Sequence, residues 1–180
     1  MPAKRLLDRE RAALLVVDVQ EAFRPVIRKF DLVAGQVALL VQGAHAVGIP
    51  VLASEQYPKG LGHTVPEVAQ HLNGAAPIEK VCFAATDAEG FDLQGRDQVI
   101  ICGIEAHICV SQTAHALLDR GVEVHLAADA CGARTKQNLR TGLLKMTTAG
   151  AIPSSVETAL FELLGAAGSE EFKAIQALVK

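Results

Sequence analysis

The sequence predicts an α/β fold: a three-layer α/β/α domain in which helices cover both faces of a doubly wound parallel sheet. Short apolar runs alternate along the 180 residues with segments of helical periodicity. The runs are largely apolar, as expected of parallel strands that are buried on both faces. No internal repeat, low-complexity segment or linker divides the chain, so we expect a single domain over residues 1–180.

Six apolar runs have the length of strands, and reactive residues follow several of them. The first run ends in Asp18, the third ends at Lys80, and Gly103 is expected to break the fourth. The predicted strands are Ala12–Asp18, Ile49–Ala53, Ala76–Val81, Val99–Cys102, Val122–Ala127 and a brief sixth strand at Ala151–Pro153.

The segments between these runs carry helical periodicity or a capping residue. The predicted helices are Leu32–Val47 with a stop at Gly48, Glu67–Leu72 after Pro66, a weak helix around Asp87–Leu93, a helix from Cys109 towards Gly121, Lys136–Ala149, a helix capped by Ser154 or Ser155 that runs through Leu164, and a last helix capped by Ser169. The segment Ser54–Val65 is polar and rich in glycine and proline, which predicts a mobile surface loop that is able to act as a lid.

Composition limits the classes of partner. Half of the residues are hydrophobic, the formal net charge is −3, and no basic run is present, which argues against nucleic acid. No apolar run is expected to span a membrane, and the N-terminal segment lacks the features of a secretory signal. Four cysteines without CxxC spacing favour free thiols and a cytoplasmic location.

Three reactive residues are expected at one edge of the sheet, because the carboxyl ends of parallel strands lie together and bind ligands. They are Asp18, Lys80 and Cys109, and Cys109 opens a helix, where the helix dipole favours a thiolate. Each residue alone has an ordinary alternative. A free cysteine is usually a core residue, an aspartate often caps a turn, and a lysine stem often packs while its amine reaches solvent.

Together these residues predict acyl chemistry. Asp18 would take the proton of the Cys109 thiol as general base, and Lys80 would hold Asp18 and lower the pKa of the thiol. The thiolate would attack a carbonyl group and form a thioester that water then hydrolyses. Backbone N–H groups of the turn at 105–109 are available to stabilise the oxyanion.

Three segments resemble the isochorismatase-like cysteine hydrolases, which include nicotinamidases and N-carbamoylsarcosine amidase. They are LLVVDVQEAF, IEKVCF and GIEAHICVSQTAHALLDRGVEVHLAADACGAR, and the likeness spans essentially the whole chain. The resemblance implies strand order 3-2-1-4-5-6, a triad of Asp18, Lys80 and Cys109, and a cis peptide bond between Ile104 and Glu105. It also implies an oxyanion hole formed by the N–H groups of Glu105 and Cys109, no cofactor, and a homo-oligomer of two or more copies.

The resemblance also guides the expected substrate. Nicotinamidases hold a metal with an Asp-x-His pair and a later histidine, but Gln56 and Tyr57 stand where that pair would begin, and His63 is the loop's only histidine. We therefore expect no metal site and no nicotinamidase activity. The segment EQYPKGLG resembles the isochorismatase-domain-containing subgroup, whose substrates are poorly defined. True isochorismatases lack the nucleophilic cysteine, so Cys109 indicates an amide or carbamoyl substrate rather than a vinyl ether.

Five residues are predicted to line the pocket for this small-molecule substrate: Phe23, Tyr57, Leu61, Phe83 and His107. Core packing is the alternative for Phe23 and Phe83. His107 has three open roles, as a donor to substrate, a contact to a neighbouring subunit, or a cap of the turn. Asp129 and Arg134 lie in a segment that resembles a family element, and we expect them to pair across the loop after the fifth strand rather than to act in catalysis.

The function predicted from the sequence is metal-free hydrolysis of a small amide or carbamoyl C–N bond. Two hypotheses from other classes stay open. One is a catalytically silent homo-oligomeric scaffold, with an unreactive Cys109. The other is a thiol redox protein in which Cys109 cycles through a sulfenic acid.

Overall fold

The computed structural model describes residues 5–180 and contains one six-stranded parallel sheet in the order β3-β2-β1-β4-β5-β6. This confirms the predicted fold class and strand order; the first four residues of the predicted domain lie outside the described residues. The strands are β1 (Ala12–Val17), β2 (Val51–Gln56), β3 (Ile78–Lys80), β4 (Gln98–Ile104), β5 (Glu123–Gly132) and β6 (Ile152–Ser154).

Helices cover the sheet on both faces. The helices are α1 (Phe30–Val47), α2 (Pro58–Leu61), α3 (Pro66–Ala69), α4 (Cys109–Asp119), α5 (Lys136–Thr148), α6 (Val156–Leu164) and α7 (Glu170–Val179), with short 3-10 helices at Glu21–Phe23 and Ala85–Asp87. One core cluster unites α1, α6 and α7 with one face of the sheet, and a second unites α4 and α5 with the other. Strands β1 and β4 lie between them and are buried along their whole length.

Capping residues fix where three of the helices begin. The Thr135, Ser155 and Ser169 hydroxyls accept hydrogen bonds from the backbone N–H groups three residues further on, at the starts of α5, α6 and α7. The caps predicted for the last two helices are therefore present.

Several predicted boundaries are wrong. Strand β2 begins at Val51 and continues through Ser54 to Gln56, because these residues pair with β3. Strand β5 likewise extends beyond Ala127 to Gly132. The weak helix at Asp87–Leu93 is replaced by the 3-10 helix Ala85–Asp87, since Gly90 has a positive φ of 84° that ends any regular turn there.

Gly103 does not break β4 but lies inside it, at an irregularity in the pairing with β5. Its φ is 120°, which favours glycine, and a Cβ at this position would overlap the carbonyl oxygen of Val17. The glycine therefore allows β1 and β4 to approach closely just before the turn that leads to Cys109.

Helix α1 corrects the expectation that no apolar segment reaches the length of a membrane span. Its 18 residues have a mean hydropathy of 1.3, which would suffice by length and composition. However, 56% of them are buried within the protein, and the helix packs on β1, β2, β4 and β5. Such a helix is equally typical of the core of an α/β domain.

Candidate active site

Asp18 and Lys80 form a buried ion pair at the carboxyl edge of the sheet. Asp18 follows β1 directly, and its backbone N–H donates to the carbonyl oxygen of Ser54 at 3.1 Å. Lys80 ends β3, and its Nζ donates to Asp18 Oδ2 at 2.7 Å. Both side chains are fully buried, so the alternatives of a solvent-reaching lysine and a turn-capping aspartate do not describe this pair.

The Lys80 ammonium is surrounded by oxygen acceptors. Beyond Asp18, its Nζ reaches Gln56 Oε1 at 2.6 Å and the carbonyl oxygens of Cys82 and Phe83 at 3.3 and 3.2 Å. An ammonium has three protons to donate, so its hydrogen-bonding capacity is fully used. This environment allows a cation to remain charged away from water.

Ser54 and Gln56 are site residues that sequence reasoning missed. The Ser54 hydroxyl donates to Asp18 Oδ1 at 2.7 Å, so each oxygen of the carboxylate has its own donor. Gln56 accepts from Lys80 and in turn donates from Nε2 to the carbonyl oxygen of Val81 at 2.8 Å. The signal was present: the two residues continue an apolar run at a spacing of two, which places them on one face of a strand.

Cys109 is the first residue of α4 and is 6% exposed. Burial raises the pKa of its thiol to about 12, and the nearby negative charge of Asp18, which accepts a hydrogen bond from the thiol, acts in the same direction. The positive charge of Lys80 opposes this shift but does not reverse it. The structure therefore brings the three residues together. The Lys80 charge lowers the thiol pKa as expected, but the net direction is a rise, because burial and the Asp18 charge outweigh it.

The turn between β4 and α4 is hydrogen-bonded to the end of β5. The peptide bond Ile104–Glu105 is cis. The N–H of Ala106 donates to the carbonyl oxygen of Gly132 at 2.8 Å, and the N–H of Ile108 closes the turn on the carbonyl oxygen of Glu105 at 3.0 Å. Helix α5 packs tightly beneath, since a Cβ at Gly142 would lie 2.7 Å from the carbonyl oxygen of Ala106.

The Glu105 side chain is also held in place. Its Oε2 accepts hydrogen bonds from the backbone N–H and from Nε of Arg134, at 3.1 and 3.0 Å. Asp129 instead accepts from the N–H of Val156 at 2.9 Å. The expected pairing of Asp129 with Arg134 is therefore wrong, because each residue forms its hydrogen bonds with a different partner.

The five predicted pocket residues occupy different environments. Tyr57 lines a cavity of about 350 Å³ together with Lys80 and Val81. Phe23 is half-buried and packs on the core beside α1, and Leu61 is half-buried at the end of α2. Phe83 is 51% exposed, which removes the core alternative for it. His107 Nδ1 is buried without a hydrogen-bond partner.

The segment predicted to be a mobile lid is tied to the sheet by two buried side chains. Gln20 Nε2 donates to the carbonyl oxygens of Gln56 and Gly62, at 3.0 and 2.6 Å. Glu55 accepts from the backbone N–H and the hydroxyl of Thr64, at 2.6 and 2.7 Å. The segment is thus fixed at both ends, around the short helix α2.

Candidate metal ligands do not cluster in the described part of the chain. Over residues 5–180, no three His, Cys, Asp or Glu side chains lie close enough together to hold an ion. Gln56, where nicotinamidases begin their metal-binding pair, serves Lys80 as an acceptor.

Comparison with known proteins identifies the family. The model of the isochorismatase domain matches residues 12–158. The chain belongs to the isochorismatase family. A curated relative, isochorismatase domain-containing protein 2A of Mus musculus, is 37% identical over 174 residues, which cover 95% of this chain and 84% of the relative. A secreted isochorismatase effector of Phytophthora sojae is 36% identical over 94% of this chain and 84% of its own length.

Solved structures of the isochorismatase family superpose closely. A protein of Caenorhabditis elegans described as MAR1 ribonuclease has a TM-score of 0.90 and 34% identity, and the match covers 97% of this chain and 92% of that one. The YcaC gene product of Escherichia coli, described as an octameric hydrolase of unknown specificity, has a TM-score of 0.85 and 26% identity over 92% of this chain and 85% of its own.

Proposed function

We propose that this isochorismatase-family protein is a metal-free cysteine hydrolase that cleaves a small amide or carbamoyl C–N bond through a thioester on Cys109. The observation that carries the proposal is the buried pair of Asp18 and Lys80 beside a cysteine thiol whose pKa responds to both charges. A thiol with a raised pKa is a poor nucleophile unless an adjacent base removes its proton, and Asp18 is placed to do so.

The first half of the reaction forms the thioester. Asp18 takes the thiol proton while Sγ of Cys109 attacks the substrate carbonyl carbon, so the C–S bond forms and the carbonyl oxygen becomes an oxyanion. The N–H groups of Glu105 and Cys109 stabilise that oxyanion. When it collapses, the C–N bond breaks and the leaving amine takes the proton from Asp18. Lys80 keeps the carboxylate oriented and balances its charge throughout.

The second half releases the product. Water attacks the thioester carbon and gives a proton to Asp18, and the tetrahedral intermediate collapses with cleavage of the C–S bond. The departing thiolate recovers the proton from Asp18, which restores the resting thiol. Protons and bonds therefore balance without a metal or a redox partner.

The test is a panel of small amides, carbamoyl compounds and RNA, assayed for ammonia or amine release and for RNA cleavage. We expect wild type to release amine and Cys109→Ala to lose turnover on the order of 10⁴-fold, because the nucleophile is gone. Cys82→Ser is the matched control, since Cys82 is a half-buried thiol outside the proposed triad. Mass spectrometry of quenched wild type should find the acyl adduct on Cys109.

Four results would overturn the proposal. Undiminished turnover by Cys109→Ala would exclude the thioester. Cleavage of RNA with no amide hydrolysed would assign the chain to nuclease chemistry. Thiol-dependent peroxide consumption without hydrolysis would favour the redox hypothesis, and the absence of all three activities would favour the scaffold.

We also propose that the protein is a homo-oligomer. The octameric description of the Escherichia coli neighbour supports this, as do the apolar side chains beside edge strand β3. Tyr57, Val81 and Phe83 are 54%, 79% and 51% exposed there, and exposed apolar groups in such proximity are typical of interfaces. Light scattering should give a mass that is a multiple of 19.0 kDa, and a monomer at micromolar concentration would refute the proposal.

A cytoplasmic location is the corresponding proposal for the compartment. All four cysteines are free, as is usual where thiols are kept reduced. Because a relative from Phytophthora sojae is described as secreted, the proposal is tested directly by fractionation of the source cells. Recovery of the protein from the culture medium would contradict it.

A further inference from the structure

Two adjoining cavities lie along helix α5, apart from the triad. The first, of about 410 Å³, lies between the start of α1, the end of β5 and the start of α5. The second, of about 540 Å³, continues between α5 and edge strand β6. They share Ala128, Lys136 and Leu139, and we call the continuous depression the α5 groove. Its size is that of a small-ligand pocket.

Unpaired positive charge is concentrated at one end of the α5 groove. Arg28, Lys29 and Lys136 line the first cavity and Arg140 lines the second. Among the described residues, none of these four forms an ion pair. The cavities contain a single carboxylate, that of Asp129, which already accepts a backbone hydrogen bond.

This concentration is unusual for the molecule. The chain has a net charge of −3, and arginines elsewhere, such as Arg11, Arg24 and Arg134, are each paired with a carboxylate. Four cations that form no ion pair, beside the single carboxylate of Asp129, give a local net positive charge that attracts an anion.

The opposite end of the α5 groove is apolar. Leu143, Leu144 and Pro153 line it, and Leu144 is 63% exposed although it projects from a core-packed helix. From Lys136 to Thr147 the groove follows α5 for about 16 Å, given a rise of 1.5 Å per residue. Charge and apolar surface are therefore separated along the length of one narrow depression.

We propose that the α5 groove binds an amphipathic anion, an aliphatic chain that ends in a carboxylate. The carboxylate lies among Arg28, Lys29 and Lys136, and the chain lies against Leu143 and Leu144. This site goes beyond the proposed hydrolase function and does not depend on it. A second copy of the chain docked symmetrically on this face would bring the like charges of Lys136 and Arg140 towards their equivalents, so it fits the charges less well.

The test measures binding of laurate to the full-length protein by titration calorimetry. Dodecyltrimethylammonium, dodecanol and acetate separate the contributions of charge and chain. We expect laurate to bind at one site per chain, and the cation and acetate not to bind measurably. Lys136→Glu with Arg140→Glu should weaken laurate binding at least about tenfold, and Leu144→Ser should weaken it by about as much, since tenfold corresponds to a modest loss of contact energy.

Lys145→Glu is the matched control. Lys145 lies on the same helix, is exposed, and does not line the groove, so reversing this one charge should leave laurate binding within twofold. Lys136→Gln serves as a milder variant should the double reversal fail to fold, as judged by circular dichroism, and it should still weaken binding.

Four outcomes would overturn the proposal. Equal binding of dodecyltrimethylammonium or dodecanol would remove the role of the cations. If Lys145→Glu weakened laurate binding as much, the effect would be explained by the overall charge of the protein rather than by the groove. A dimer abolished by Leu144→Ser, without laurate binding, would assign the groove to a second copy. Co-sedimentation with anionic phosphatidylserine vesicles, without binding of free laurate, would assign it to a membrane surface.

Discussion

The two ends of the sheet each bury a cluster of ionisable side chains, but the clusters direct their hydrogen bonds differently. At the carboxyl end, Ser54 and Lys80 both donate to the carboxylate of Asp18. At the amino end, Gln98 donates to Glu123 at 2.6 Å, and His125 Nε2 lies 3.2 Å from the same oxygen.

The amino-end cluster binds the protein's own backbone. Gln98 accepts from the N–H of Asp8 at 2.8 Å and donates to the carbonyl oxygen of Leu6 at 3.1 Å. Glu162 accepts from the N–H of Leu7 at 3.1 Å. This cluster fastens residues 6–8 to the sheet, whereas the carboxyl-end cluster converges on one carboxylate beside a thiol. Burial of charge therefore does not by itself indicate catalysis. A catalytic role is indicated when the buried charges surround a reactive group at the carboxyl edge of a parallel sheet.

Among the substitutions that test this difference between the two clusters, Asp18→Asn is expected to have the largest effect. We expect kcat to fall about 10²–10⁴-fold, the usual loss when a general base is removed. The same change should speed alkylation of Cys109 by iodoacetamide at a given pH, because the charge of Asp18 raises the pKa of the thiol and its removal lowers that pKa. Peptide mass spectrometry across pH 6–10 measures this shift, and slower alkylation in Asp18→Asn would contradict the assigned coupling.

Much of the carboxyl-end cluster could be predicted from the sequence because its signals are local. Asp18 follows an apolar run directly, Lys80 ends the third run, and Cys109 begins the helix after the fourth. The parallel topology places them at one edge. Ser54 and Gln56 were missed because a segment rich in glycine and proline follows them, and only pairing with β3 makes them a strand.

Neither the raised pKa of Cys109 nor the partner of Arg134 could be predicted from the sequence. The first is caused mainly by burial, which depends on how α4 packs against one face of the sheet. The second depends on which of several carboxylates lies nearest in space, and Glu105 is 29 residues away in the sequence.

The next largest effect is expected from Lys80→Met, which leaves the Asp18 carboxylate buried without its cation. Removal of one partner of a buried ion pair costs about 3–5 kcal/mol of unfolding free energy. Alkylation of Cys109 should become slower, opposite to the effect of Asp18→Asn, because the Lys80 charge lowers the thiol pKa. The double variant Asp18→Asn/Lys80→Met should recover part of the stability in urea titrations; additive losses would refute the coupling.

Arg134→Ala tests the turn between β4 and α4 separately from the proposed triad. It is expected to loosen the turn but leaves Asp18, Lys80 and Cys109 unchanged. Without the hydrogen bond from Arg134 Nε, the Glu105 side chain keeps only the one from the backbone N–H of residue 134 and fixes less firmly the turn that carries the proposed oxyanion donors. The backbone N–H remains in Ala, so we expect an intermediate loss of kcat, roughly 10- to 100-fold, as for a small misplacement of catalytic groups. The alkylation rate of Cys109, which needs no oxyanion hole, should stay within twofold of wild type.

An Arg134→Lys variant is the control for charge, since lysine lacks the Nε that contacts Glu105. It should resemble Arg134→Ala in kcat. Full activity in Arg134→Lys would mean that positive charge near the turn, rather than the geometry of the hydrogen bonds, supports turnover.

The smallest effect on activity is expected at the amino end. Gln98→Leu removes the hydrogen bonds to Leu6, Asp8 and Glu123 from a fully buried position. Because it leaves buried polar groups without partners, the unfolding free energy should fall by about 1–3 kcal/mol. Turnover at 25 °C should be unchanged, since the cluster lies at the opposite end of the sheet from Cys109. Gln112→Leu, at an exposed position of α4, should change neither quantity. Should Gln98→Leu lower kcat as strongly as Arg134→Ala does, the two ends of the sheet would be coupled, and the segment at residues 6–8 would have to be counted among the parts that shape the active site.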